Sequence, residues 1–145
     1  MPESEEKLDE QEAIKRLNAA LTLQYRSALQ YSLTAAGLVG IEAQAIGAQL
    51  TEFGDEELSD ARRLIEKIVS FGGEPTTEVA ELRYDASPRD AVRWLAECEE
   101  TAVEKLQEAI EPTGREGRSE ALEHLLEHLI LRKQHQVDFL QRAIS

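Results

Sequence analysis

The chain has 145 residues, 41% of them hydrophobic and 31% charged, with only eight glycines, four prolines and a formal net charge of −13. That length fits one compact domain over residues 1–145, with about the first eight residues an acidic, flexible lead, and the composition suits a helical protein rather than a disordered or all-β one. The acid excess, with no cluster of lysine or arginine to offset it, excludes nucleic acid as a partner. No apolar run reaches the length of a membrane span, and the N-terminus lacks the basic-then-apolar pattern of a secretory signal or transit peptide. A cytoplasmic location away from membranes is therefore expected. The single cysteine, Cys98, has no partner for an intramolecular disulfide and reads as a small helix residue.

Asp9 followed by Glu12 has the spacing of a capping box. Apolar positions then recur in steps of three and four through Ile14, Leu17, Leu21, Ala28, Tyr31, Ala35 and Leu38, which predicts a first helix. Gly37 and Gly40 interrupt it. A second stripe runs through Ile46, Leu50, Phe53, Leu64, Ile68 and Phe71 until Gly72, Gly73 and Pro75. From Gly72 to about Ser87 no helical period is present, so a connection with at most a local turn is expected. Extended at ~3.3 Å per residue, such a segment can run the whole length of a 30-residue helix rising ~1.5 Å per residue.

Ser87, Pro88 and Asp90 form a helix start, combining a capping hydroxyl, a first-turn proline and an acid suited to the dipole. The third stripe is Val92, Leu95, Ala102, Leu106 and Ala109, closed by Pro112 and Gly114; the fourth begins near Gly117 with Leu122, Leu126, Leu129, Leu140 and Ala143. The fold class is thus all-α, a four-helix bundle of two antiparallel hairpins joined by one long crossover between helices 2 and 3.

Each stripe is broken near its middle by polar residues: Gln24 on helix 1, Glu57 and Asp60 on helix 2, Glu99 on helix 3, Lys133 and Gln136 on helix 4. Carboxylates buried in a bundle cost several kcal/mol each unless paired, hydrogen-bonded or bound to a cation. Di-iron bundles meet that cost with one Glu on each of two helices and a Glu-x-x-His pair on each of the other two. The one, two, one, two distribution here is the same layout filled with other side chains.

Several local runs resemble the bacterioferritin branch of the ferritin-like superfamily over nearly the whole chain. Leu17-Asn18, Leu21, Gln24 and Tyr31 resemble its first-helix signature, with Gln24 in the place of the first glutamate ligand. Ala61 and Leu64-Ile65-Glu66-Lys67-Ile68 resemble the run after its first Glu-x-x-His, which puts Glu57 and Asp60 on that pair. Glu99, followed by Leu106 and Glu108-Ala109-Ile110, is similar to the third-helix glutamate, and Val137-Asp138-Phe139-Leu140 leaves Lys133 and Gln136 where the bridging Glu and its His would stand. The resemblance implies a ferritin-like fold and a degenerate di-iron site at Gln24, Glu57, Asp60, Glu99 and Gln136. It also implies a symmetric homodimer through the outer faces of the first hairpin. Leu58 stands where the family's haem methionine would be, so haem is not expected, and no short fifth helix follows Ser145, so a 24-subunit shell is not expected.

Two readings follow. In the first, the Lys133 ammonium replaces metal as the partner of Glu57 and Glu99, Gln24 and Gln136 donate to the remaining oxygens, and Asp60 is left needing water or a proton. No cofactor and no catalysis are then expected, and the protein is structural or binds an unidentified protein partner. In the second, Glu57, Asp60 and Glu99 hold iron or manganese for ferroxidase-type chemistry while Lys133 swings away. His124 and His128 are expected to face solvent, as is His135, and Trp94 with Cys98 marks either core or a subunit contact.

Overall fold

The computed structural model describes residues 9–110 and 117–145. Four helices follow in order: α1 over Glu10–Gly37, α2 over Ile41–Ser70, α3 over Pro88–Ile110 and α4 over Gly117–Ile144. No strand is present among the described residues. α1 packs against α2 and α3, and α3 against α4, with α2 and α4 meeting more sparsely.

The helix ends follow the local chemistry. Asp9 Oδ1 accepts from the Glu12 amide at 3.1 Å, but the Glu12 carboxylate turns to Arg16 at 2.8 Å instead of reaching back, so only half of the expected capping box forms. Ser87 starts α3 by accepting from the Ala91 amide through its carbonyl at 2.9 Å, with its hydroxyl 3.4 Å from the Asp90 amide. The end of α2 curls over as the Gly72 and Gly73 amides donate to Val69 and Ile68 carbonyls, both at 2.9 Å, with Gly72 at a φ of 82° that favours glycine. The expected stop of helix 3 at Pro112 and Gly114 lies outside the described residues.

The crossover is irregular and lies along α1, as its length allows. Asn18 donates to the Glu74 carbonyl at 3.0 Å and accepts from the Thr76 amide at 2.7 Å; Tyr25 Oη donates to the Thr76 carbonyl at 2.9 Å. Higher up, Gln30 donates to the Arg83 carbonyl at 2.8 Å and accepts from its amide at 2.9 Å. Trp94 also donates to Gln30 at 3.2 Å, and its ring lies 4.0 Å from the Arg83 guanidinium and 5.5 Å from that of Arg26. Trp94 is thus engaged within the chain, as a clamp on the crossover, and Cys98 is buried.

Two apolar clusters fill the interior. One gathers Leu17, Leu21, Leu64, Ile68, Leu106 and Leu126, and the other gathers Tyr31, Leu50, Phe53, Val92, Leu95 and Leu140. The predicted stripes therefore face inward. Ala143 departs from its stripe and is exposed at the end of α4.

Candidate functional site in the bundle core

Between the two apolar clusters all six predicted polar residues come together. Gln24, Glu57, Asp60, Glu99, Lys133 and Gln136 each expose 1% of their surface or less. Helical geometry explains the convergence, because each lies on the same stripe as the apolar residues one turn before and after it. At Gly54 a Cβ would stand 3.2 Å from Tyr31 Cβ, so the small residue lets α1 and α2 approach closely next to this layer.

Lys133 Nζ stands at its middle, 3.0 Å from Glu57 Oε2, 3.2 Å from Glu99 Oε2 and 3.3 Å from Ser27 Oγ, which uses all three of its N–H donors. Gln24 donates from Nε2 to the Glu57 backbone carbonyl at 2.8 Å and to Glu57 Oε2. The Ser27 hydroxyl donates to Glu99 Oε1. The Gln136 carboxamide satisfies its neighbours when its nitrogen faces the carboxylates, donating to Glu99 Oε2 at 3.0 Å and to Glu57 Oε1. Tyr31 Oη lies 3.4 Å from that carboxamide. Each oxygen of Glu57 and Glu99 thus has a donor.

Protonation follows from this geometry. Burial alone would raise Glu57, but the Lys133 charge, with hydrogen bonds from Glu99, Gln24 and Lys133, holds it below its ordinary range. Burial and then the Glu57 charge push Glu99 up to about 8, with Lys133 opposing. Lys133 is itself raised: burial works against its charge, and the two glutamates more than reverse that. The consistent state near neutrality is Lys133 charged, Glu57 ionised and Glu99 carrying a proton, so that the trio has no net charge. Tyr31 is pushed well above the usual phenol range by burial and by Glu99 and Glu57, and burial pushes Cys98 up to about 11. Neither is a nucleophile near neutrality.

Asp60 corrects one expectation. It is not left to water or a proton alone: Arg132 Nε lies 3.2 Å from Asp60 Oδ2, although its N–H makes no hydrogen bond and Asp60 Oδ1 has no partner. Burial still outweighs Arg132 and raises the Asp60 carboxyl. His124, His128 and His135 are exposed as expected, but His128 Nε2 lies 3.1 Å from Arg132 Nη2. Arg132 and Ser27 are the members that sequence reading missed. Ser27 lies three residues after Gln24 and could have been found by that spacing, whereas Arg132 lies at the edge of its stripe.

The residues matched by the ferritin-like domain model are 14–145, so the chain belongs to the ferritin-like family. Solved structures of the same fold include a ferritin-like, diiron-carboxylate protein of Bacillus anthracis, at 24% identity over 94% of this chain and 98% of that one, with a TM-score of 0.87. Rhodobacter capsulatus bacterioferritin, described with a metal-free dinuclear site and a haem iron, is 25% identical over 96% of this chain and 86% of that one, with a TM-score of 0.81. A dodecameric thioferritin, the bacterioferritin-related protein of Bacteroides fragilis, is 19% identical over 99% and 93% of the two chains, with a TM-score of 0.85. No curated protein sequence matches the chain. No helix among the described residues is long and apolar enough to cross a membrane.

Proposed function

We propose that this chain is a bacterioferritin-like bundle in which an internal ion-pair network stands in place of the metal centre, and that it acts as a structural or partner-binding cytoplasmic protein and not as a ferroxidase. The observation that carries this reading is the place of Lys133 Nζ, within 3.2 Å of both Glu57 and Glu99. The resemblance puts a bridging carboxylate at that residue. An ammonium there reverses the sign of the charge that would attract two divalent ions.

Two metal ions do not fit this donor set. Lys133 has no lone pair to offer while charged, Gln24 turns its amide nitrogen to Glu57, and Glu99 holds a proton near neutrality. Among the described residues no three His, Cys, Asp or Glu side chains converge as a metal-holding group. The iron-handling alternative at Glu57, Asp60 and Glu99 requires Lys133 to abandon three hydrogen bonds in a closed interior. Haem does not fit at Leu58, which has no sulfur. A homodimer through the first hairpin is supported by exposed leucines on its helices, Leu29 and Leu33 on α1 and Leu58 on α2.

The test is anaerobic equilibration of the purified protein with Fe(II), and separately Mn(II), followed by desalting and measurement of metal per chain. Metal-free protein is the expected result. One or two ions per chain, lost in Glu57→Ala, would overturn the reading in favour of ferroxidase or iron handling.

A further inference from the structure

Beyond Lys133, the layer contains a second buried acid with its own cation. Asp60 is 1% exposed, and its ion-pair partner is Arg132, the residue before Lys133 on α4, which opposes the effect of burial on its carboxyl more than Arg63 or Lys133 does. Consecutive residues on a helix diverge by about 100°, so one turn of α4 sends its two cations to different sides of the layer. Lys133 takes the pair Glu57 and Glu99, and Arg132 takes Asp60. The guanidinium is also held from outside, with Nη2 3.1 Å from His128 Nε2 and Nη1 3.7 Å from Glu56 Oε2. Glu56, Asp60 and His128 therefore surround one cation.

We infer that Arg132 is the second resident cation of the centre, a positioning residue that balances Asp60 and keeps divalent cations from the space walled by Glu56, Asp60 and His128. This rests on the proposed function for Lys133 and extends it to a residue that no family position suggests. Two carboxylates and an imidazole are donors that suit Mn(II) or Zn(II). As they stand they do not close on an ion, because the guanidinium spaces them. The hold of Arg132 is one of charge more than of alignment: its Nε makes no hydrogen bond and Asp60 Oδ1 has no partner. A small divalent ion could approach both Asp60 oxygens where a planar guanidinium engages one. The raised Asp60 carboxyl is consistent with this incomplete match.

The experiment compares wild type, Arg132→Gln, Asp60→Asn and the double variant by thermal unfolding of the full chain, in chelator and in millimolar MnCl2. Arg132→Gln is expected to lower Tm by roughly 10 °C in chelator, because it strands a buried carboxylate. MnCl2 should return much of that loss, and the wild type should not respond. Asp60→Asn should be milder, since Arg132 is partly exposed and can turn to water. The double variant should exceed Arg132→Gln in chelator and ignore MnCl2. A loss that MnCl2 leaves unchanged, or no loss at all, would overturn the assignment. If Arg132→Gln does not fold in either medium, the double variant decides: recovery of folding supports the role of Arg132, and failure to recover overturns it. Metal retained by the wild type would instead defeat the reading of Lys133, which separates the two failures.

Discussion

Lys133 Nζ and Glu57 Oε2 meet at 3.0 Å with both side chains closed to solvent. A charge pair at that depth is held because each N–H of Lys133 and each carboxyl oxygen of Glu57 has a partner, and it is costly to break from one side. Lys133→Ala should destabilise the fold by ~3 to 5 kcal/mol, since it leaves Glu57 and Glu99 without their cation. Urea unfolding checks this. The double variant Lys133→Met with Glu57→Gln should recover part of the loss, because no unpaired charge then remains. Strict additivity of the two single losses would mean that the pair does not interact.

The protonation state gives a pH profile with a defined sign. Glu99 is pushed up to about 8 in the folded chain against an ordinary 4.5, so between those values the folded state holds a proton that the unfolded state has lost. Stability must then fall as pH rises through that window, by at most about 1.4 kcal/mol per pH unit. Lys133 is raised, so what it adds is lost only above its own ordinary range; Glu57 is lowered, so its share is lost only in acid. Neither acts between pH 6 and 8.5. The wild type should therefore lose stability across that interval, while Glu99→Gln, which mimics the protonated form, should lose much less. Parallel profiles for the two proteins would remove Glu99 as the source.

Much of this centre was legible from spacing. Gln24, Glu57, Asp60, Glu99, Lys133 and Gln136 sit on the stripes of their helices, and a polar residue on an apolar stripe is buried wherever the stripe is. Arg132 was not legible for the same reason. It lies at the edge of the α4 stripe, and a long side chain at a helix seam reaches inward or outward according to how the helices are rotated, which periodicity does not fix. The crossover shows a similar limit. Its length indicated that it spans the bundle, but nothing in its composition said that Asn18, Tyr25 and Gln30, polar or half-polar residues of α1, would be its anchors.

Gln30 is the critical anchor of the upper crossover. Its carboxamide holds the Arg83 amide and carbonyl and accepts from Trp94. Gln30→Ala leaves those groups without a partner and should cost about 1–3 kcal/mol. Amide exchange should accelerate at Arg83 and its neighbours well before global unfolding. Unchanged exchange there would show that the segment is retained by its other contacts, the Ala80 amide on the Thr22 carbonyl and the Arg83 guanidinium over Trp94.

Light scattering should find a dimer in solution, and Leu58→Glu should yield monomers without loss of helix content. Leu58 is 56% exposed in the single chain, so a charge is harmless there unless a second copy covers it. A wild type that stays monomeric at all concentrations would end the dimer proposal.

Reversing the central charge is the sharpest test of what Lys133 does. Lys133→Glu replaces the ammonium with a third carboxylate facing Glu57 and Glu99, and three buried acids cannot all remain ionised without a counter-ion. In chelator this variant should be less stable than Lys133→Ala, because it adds like charge to the loss of the cation. If the space vacated by Nζ can take a metal ion, Mn(II) should then stabilise it by mass action, by about 2.7 kcal/mol at a hundredfold excess over Kd. Thermal unfolding with and without Mn(II) reads both effects. A variant as stable as the wild type in chelator would show that the residue 133 side chain does not sit between the glutamates. One that is destabilised but indifferent to Mn(II) would show that Lys133 fills the interior as an ion-pair partner without preserving the shape of a metal site.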